Sequence, residues 1–167
     1  MKKEVTATLN LIKDLELEND VRMALNVSEK RYSSPQKTSN GYEIYYEESS
    51  GEAVGIVYNN IVFLKKSSGR LMTLFEADWY CKSIVINGVT SQLCPVDDSW
   101  IGELKKIYRD LYQALTEIGA ENLDHYTWCS KHPNANYAWI QRLSNGDTSY
   151  YGKTGINDVR PILVLKR

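Results

Sequence analysis

The chain has 167 residues and a formal net charge of −1, from 20 basic and 21 acidic side chains. That length fits one domain, or a domain with a short extension, and is enough to bury a core without disulfide or metal staples. The even charge balance gives no general attraction to nucleic acid or an anionic membrane, and no run of about 18 apolar residues is available to span a bilayer.

At the N-terminus, Met1-Lys-Lys-Glu is followed by no apolar stretch with a small-residue cleavage site, so no secretory signal is expected. Localisation stays open between a virion component, the cytoplasm, and a cell surface reached by a removed presequence. Val5, Ala7, Leu9 and Leu11 alternate with polar residues, as do Val21, Met23, Leu25 and Val27. The first run suggests a strand; the second suits a strand, an irregular extension or an oligomer contact. Ser33-Ser-Pro-Gln-Lys-Thr-Ser-Asn-Gly41 is polar and rich in breakers. The expected division is therefore an extension or attachment segment over 1–40, suited to joining a homo-oligomer or larger assembly, and a domain over 41–167.

Tyr42, Ile44 and Tyr46 alternate as in a half-buried strand. Two apolar, β-branched runs follow, 53–58 and 61–65, joined by Asn59-Asn60, whose tolerance of positive φ predicts a tight hairpin. Thr73-Leu-Phe-Glu76 is a capping-box pattern, predicting a helix to about Ser83 with Leu74, Ala77 and Cys81 on one face. Asn87-Gly88 predicts a turn. Asp97-Asp-Ser99 opens a second helix. Its apolar stripe is Ile101, Leu104, Ile107, Leu111, Leu115 and Ile118, and Gly119 stops it. Four short strands are expected over 125–129, 137–143, 148–151 and 159–165, with Ser144-Asn-Gly-Asp as a turn. Two helices between β-rich ends indicate an α+β fold.

Tyrosine is over-represented: twelve Tyr and four Trp stand beside two Phe. A wet contact surface uses the phenol oxygen that a core does not need. Trp128, Tyr137, Trp139, Tyr150 and Tyr151 lie among Ser, Gly and Asn in the last forty residues, a composition suited to recognition. Trp128 and Trp139 read first as core anchors, and Arg160 as a fork for a carboxylate or backbone carbonyls. The three cysteines, 81, 94 and 129, form no C-x-x-C and have no His at ligand spacing. They read as reduced buried thiols; the alternative is an oxidised protein in which Cys81 and Cys94 could meet.

The ordered set Val54-Gly-Ile-Val-Tyr, Leu71-Met-Thr-Leu-Phe-Glu-Ala-Asp-Trp-Tyr-Cys, Leu93-Cys-Pro, Trp100-Ile-Gly-Glu-Leu, Tyr126-x-Trp128-x-Ser130, Ala138-Trp139, Asn145-Gly146, Lys153 and Val159-Arg-Pro161 resembles bacterial C-type lectin-like domains of the Fibrobacter major paralogous and Lcl C-terminal type. It spans roughly residues 53–165. The sequence departs from the pattern at Gln92-Leu-Cys-Pro-Val, where members usually carry Trp-Arg-Leu-Pro-Thr. The resemblance implies a C-type lectin-like fold, with two helices, small twisted antiparallel sheets and a last strand that returns beside the first. Loops between the late strands would present the binding surface.

Three activities occur on such a fold, and function has to be argued from the site. A calcium-dependent carbohydrate-binding lectin needs an oxygen cage. Here the nearest stretches are His132-Pro-Asn134 and Ile156-Asn-Asp158, which supply too few carboxylates. A thiol-dependent enzyme would need Cys129 activated by a His such as His125 or His132. The third reading is a non-enzymatic binder without metal or cofactor, whose partner is a protein or glycan on another cell or particle. Some members of this lectin-like group are targets of diversity-generating retroelements, which vary positions between fixed points and are limited to residues encoded by NNY codons. Here the corresponding positions are Thr127, Cys129, Tyr137, Ile140, Arg142, Ser144, Asp147, Ser149, Tyr150, Tyr151, Gly152 and Thr154, with Gly155 and Ile156 beside them; all are NNY-compatible. Strand alternation is expected to turn Ile140, Arg142 and Ser144 toward the ligand and Trp139, Gln141 and Leu143 toward the core.

Overall fold

In this computed structural model, residues 36–130 and 134–166 are described; the alternating runs at 5–11 and 21–27 lie outside them. Residues from Lys37 onward form one compact unit. It therefore takes in four residues assigned from sequence to the extension. Lys37 bridges Glu43, Ser39 donates its backbone N–H to the Glu117 carboxylate at 2.9 and 3.0 Å, and Asn40 Nδ2 donates to the Asp110 carbonyl.

Strands β1 (Glu43–Tyr46), β2 (Ala53–Tyr58) and β3 (Ile61–Leu64) form an antiparallel meander. Asn59 takes φ 55° in the hairpin turn between β2 and β3, the left-handed region that Asn tolerates. Gly55 is required by packing, because a Cβ there would stand 2.7 Å from the Phe63 carbonyl oxygen.

Helix α1 (Leu74–Lys82) starts at Thr73 with both halves of a capping box: Glu76 N–H donates to the Thr73 hydroxyl, and Thr73 N–H donates to the Glu76 carboxylate. Leu74, Ala77 and Cys81 are its buried face. The Asn87-Gly88 turn carries a two-residue hairpin, β4 (Val85–Ile86) and β5 (Val89–Thr90), that sequence reading gave only as a turn. Helix α2 (Asp98–Glu117) is capped by Asp97, whose side chain accepts from Trp100 N–H. Leu104, Leu111 and Leu115 of its stripe are buried, while Ile101, Ile107 and Ile118 pack at its margins.

The late strands are β6 (Thr127–Trp128), β7 (Tyr137–Arg142), β8 (Asp147–Gly152) and β9 (Ile162–Val164). The first three make their own antiparallel sheet, in the order β6-β7-β8. β9 joins the other sheet, giving β1-β2-β3-β9. The last strand thus lies beside β3 and not beside the first strand as the resemblance implied. β3 is the more apolar edge, and Ile162 meets Phe63 in its register.

Among the described residues the architecture is α+β, with two helices and several small antiparallel sheets. The main core lies between α2 and the four-stranded sheet, where Phe63 stacks on Trp100 at 5.7 Å. A second core joins α1 to β6 and β7 through Met72, Leu74, Trp128 and Ile140. Arg160, almost fully buried, donates to the carbonyls of Leu64, Lys65 and Glu121. Burial pulls its pKa down to about 10, which leaves the guanidinium charged at neutral pH.

Candidate ligand-binding surface

The middle of β7, from Ala138 to Gln141, is covered on both faces. Ala138 and Ile140 pack on the α1 side. On the α2 side, Gln141 accepts from Trp100 Nε1–H at 2.9 Å, and Leu143 and half-buried Trp139 join the main core. The expectation that Ile140 faces a ligand is therefore corrected: it is 5 % exposed. Helix α1 covers the side that simple alternation left to solvent. Thr127 is buried too, at 3 % exposure, but on the other face, in register with Gln141 and with its hydroxyl donating to the Gln141 carbonyl. Cys129 is fully buried. These three cannot touch a partner.

The remaining nine positions fall on a rim formed by the two ends of β7 (Tyr137 and Arg142), by β8 and by the turns that flank it. Tyr137, Tyr150 and Tyr151 are 45 %, 58 % and 48 % exposed. Asp147, Ser149 and Thr154 are exposed; Arg142, Ser144 and Gly152 are half-buried. Two of these tyrosines are large and yet fixed. Tyr150 meets Trp139 edge-on, with ring centroids 5.1 Å apart. Tyr151 leans on Trp128 at 6.2 Å and closes over Gly155, where a Cβ would collide with its ring. Ring pairs of this geometry are worth about 0.5–1.5 kcal/mol beyond burial, and they hold the phenols outward with little freedom left to lose. Asn134 Oδ1 accepts from both Asn136 and Tyr137 N–H, fixing the entry to β7.

Arg142 is tied rather than free. Its guanidinium lies 4.6 Å from the Tyr126 ring centroid, 3.7 Å from Asp147 Oδ2, and donates from Nε to Asn145 Oδ1 at 3.2 Å. Tyr126 hydroxyl donates to the same Asp147 carboxylate, and that bond raises the phenol pKa. The cluster braces the β7–β8 turn, whose Gly146 sits against the Tyr108 ring at φ 67°. Sequence reading missed two exposed aromatics on α1, Phe75 and Trp79. Their spacing of four residues, off the Leu74–Ala77–Cys81 face, was the available signal.

Thiol chemistry finds no support in the geometry. All three cysteines are free, buried thiols, as the sequence reading had them; a backbone β-bridge sets Cys94 beside Cys129, while Cys81 sits in the other core, so Cys81 is not the neighbour of Cys94. Burial raises the Cys94 thiol to about 12 and Cys129 well above the ordinary thiol range. His125 faces Asp158 at 3.4 Å. Asp158 is itself buried, accepting from Ser68 hydroxyl and Val159 N–H. Among the described residues no group of three or more His, Cys, Asp or Glu is placed to hold a metal ion; His132 and Pro133 of the calcium-loop candidate lie outside them. No helix among the described residues is long and apolar enough to cross a membrane. Compared with protein-family models and with curated proteins, the chain matches none.

Proposed function

We propose that the protein is a non-enzymatic, C-type lectin-like binder that grips a protein or glycan on another cell or particle through the β8 rim. The observation that carries this reading is the trio Tyr137, Tyr150 and Tyr151, each about half exposed, on a sheet whose central strand is covered on both faces along its middle. Rigid amphipathic rings on a fixed platform give contact area at small entropic cost. The reading requires neither a metal nor a covalent step.

The sharpest form is a retroelement-diversified receptor-binding protein, phage-borne or bacterial. Burial narrows the positions such a system can rewrite. Thr127, Cys129 and Ile140 have NNY-compatible identities, but a large or charged replacement there would enter a closed core. A template repeat beside the gene should therefore differ from the coding copy at adenines in the codons for exposed positions such as 137, 149–151 and 154, and should spare 127, 129 and 140.

The binding test is direct. The labelled protein is applied to a panel of intact bacterial cells and to a glycan array, with and without a chelator. Binding should survive chelation. Tyr150→Ala or Tyr151→Ala should weaken it by about 1–4 kcal/mol, the range for a central aromatic contact. Retention of full binding in the double variant would remove the surface from consideration.

A further inference from the structure

The proposed rim has a feature that says what shape of partner it takes. Almost every sheet edge among the described residues is covered, short or distorted. β9 is closed by Gln92, which exchanges two backbone bonds with Ile162. β6 is closed by Asp158, which bridges Thr127, and Cys94 bridges Cys129 just beyond it. β1 has a register break at Tyr45–Tyr46 and is bridged by Lys37 to Glu43, and β4 and β5 have two residues each. β8 is six residues long and ends its sheet. It carries none of the usual edge defences: no proline, no lysine and no bulge, and its one charge, Asp147, is engaged by Arg142 and Tyr126.

The phase of the ladder identifies which backbone groups this edge offers. Lys153 N–H donates to the Asn136 carbonyl and Cys129 N–H to the Trp139 carbonyl. Alternation from those two bonds turns Ser149 and Tyr151 inward to β7 and turns the N–H and C=O of Thr148 and Tyr150 outward. Among the described residues nothing pairs with those outward groups. Tyr150 shares a face with Trp139, and Tyr151 shares the opposite face with Ala138. The two most exposed tyrosines of the rim therefore project on opposite sides of a ridge, which a flat surface cannot meet together. A single extended strand laid along the ridge can do so, its alternate side chains reaching the two rings.

Resting on the binding reading above, we infer that the partner is a protein presenting an extended segment, which adds to β8 as a fourth strand by pairing with Thr148 and Tyr150. Main-chain bonds supply the common affinity. Tyr150 with Trp139 on one face, and Ser149 with Tyr151 on the other, supply the selection of side chains. Varying residues 149–151 would then change specificity while leaving the mode of attachment intact.

The test uses the full chain and a random-sequence peptide library displayed on phage, followed by the selected peptide in synthetic form. Thr148→Pro is the diagnostic variant, because it deletes an outward N–H that the β7 ladder does not use, and proline is tolerated at such edge positions. Bound peptide should slow hydrogen exchange at the Thr148 and Tyr150 amides. Thr148→Pro and Tyr150→Ala should each lower affinity at least about tenfold. Backbone N-methylation at alternate residues of the peptide should abolish binding, a readout that leaves the protein unaltered. If Tyr150→Ala weakens binding while Thr148→Pro and N-methylation do not, strand addition is overturned and the aromatic surface stands. If none of the changes matters, both fall. A free protein that sediments as a dimer, and becomes monomeric on Thr148→Pro, would assign the edge to a second copy and overturn the inference.

Discussion

Single residues decide whether the rim is firm. Gly146 lies at φ 67° with the Tyr108 ring where a Cβ would stand. Gly146→Ala therefore meets both left-handed strain and overpacking, and should cost roughly 2–4 kcal/mol in urea unfolding, with the β7–β8 turn the first region to lose hydrogen-exchange protection. The thiols give a second check. All three cysteines are fully buried, and burial raises each pKa. A thiol reagent at neutral pH should label none in the native protein and all three after denaturation; rapid labelling of Cys129 would reopen the nucleophile reading. Residue types here were legible where one local rule governed them: Asn59 for its turn, Thr73 and Glu76 for a cap, Arg160 for a fork. They were misread where a distant element ruled. Ile140 is an outward residue by alternation and an inward one once α1 packs over it.

Elements were read best where the pattern was long or the punctuation strong. The second helix was expected from its Asp97 cap and Gly119 stop, and it runs 98–117 between them. Strands β6 and β9 came out shorter than expected, because isolated bridges to Asp158, Cys94 and Gln92 take over at their ends. The β4–β5 hairpin was too short to show a period. Two predictions belong at this scale. Thr73→Ala removes one half of the α1 capping box and should destabilise by about 1 kcal/mol, read from the thermal midpoint. The other concerns the turn at Ser39, held on the last turn of α2 by Glu117. The backbone N–H of Ser39, and then its hydroxyl, lower the Glu117 pKa. A carboxylate depressed in the folded state adds stability that is fully present above its unfolded value and is lost as pH falls through the folded one. Acidification through the carboxylate range should therefore loosen residues 37–41 from α2, and Glu117→Gln should flatten that part of the pH profile.

At the scale of the molecule, the α+β class followed from the order of elements, but the sheet order did not. Nothing in the apolar run 162–164 distinguishes a place beside β3 from one beside β1; the choice is made by Phe63, Ile56 and Trp100 packing around Ile162. Arg160 ties the same region together. Arg160→Met would leave three carbonyls without their donor and the buried Asp158 without its positive neighbour, at an expected cost of about 3–5 kcal/mol by chemical denaturation.

The position of β9 also bears on how the chain is made. Val164 pairs with Ile61 across most of the described sequence, so a nascent polypeptide holds one flank of its principal sheet unfilled until translation has passed that point. The apolar flank of the early meander has no partner strand until that far-downstream segment has emerged. Closing that sheet is therefore a long-range event, and it carries the loop-closure entropy of the whole stretch between β3 and β9.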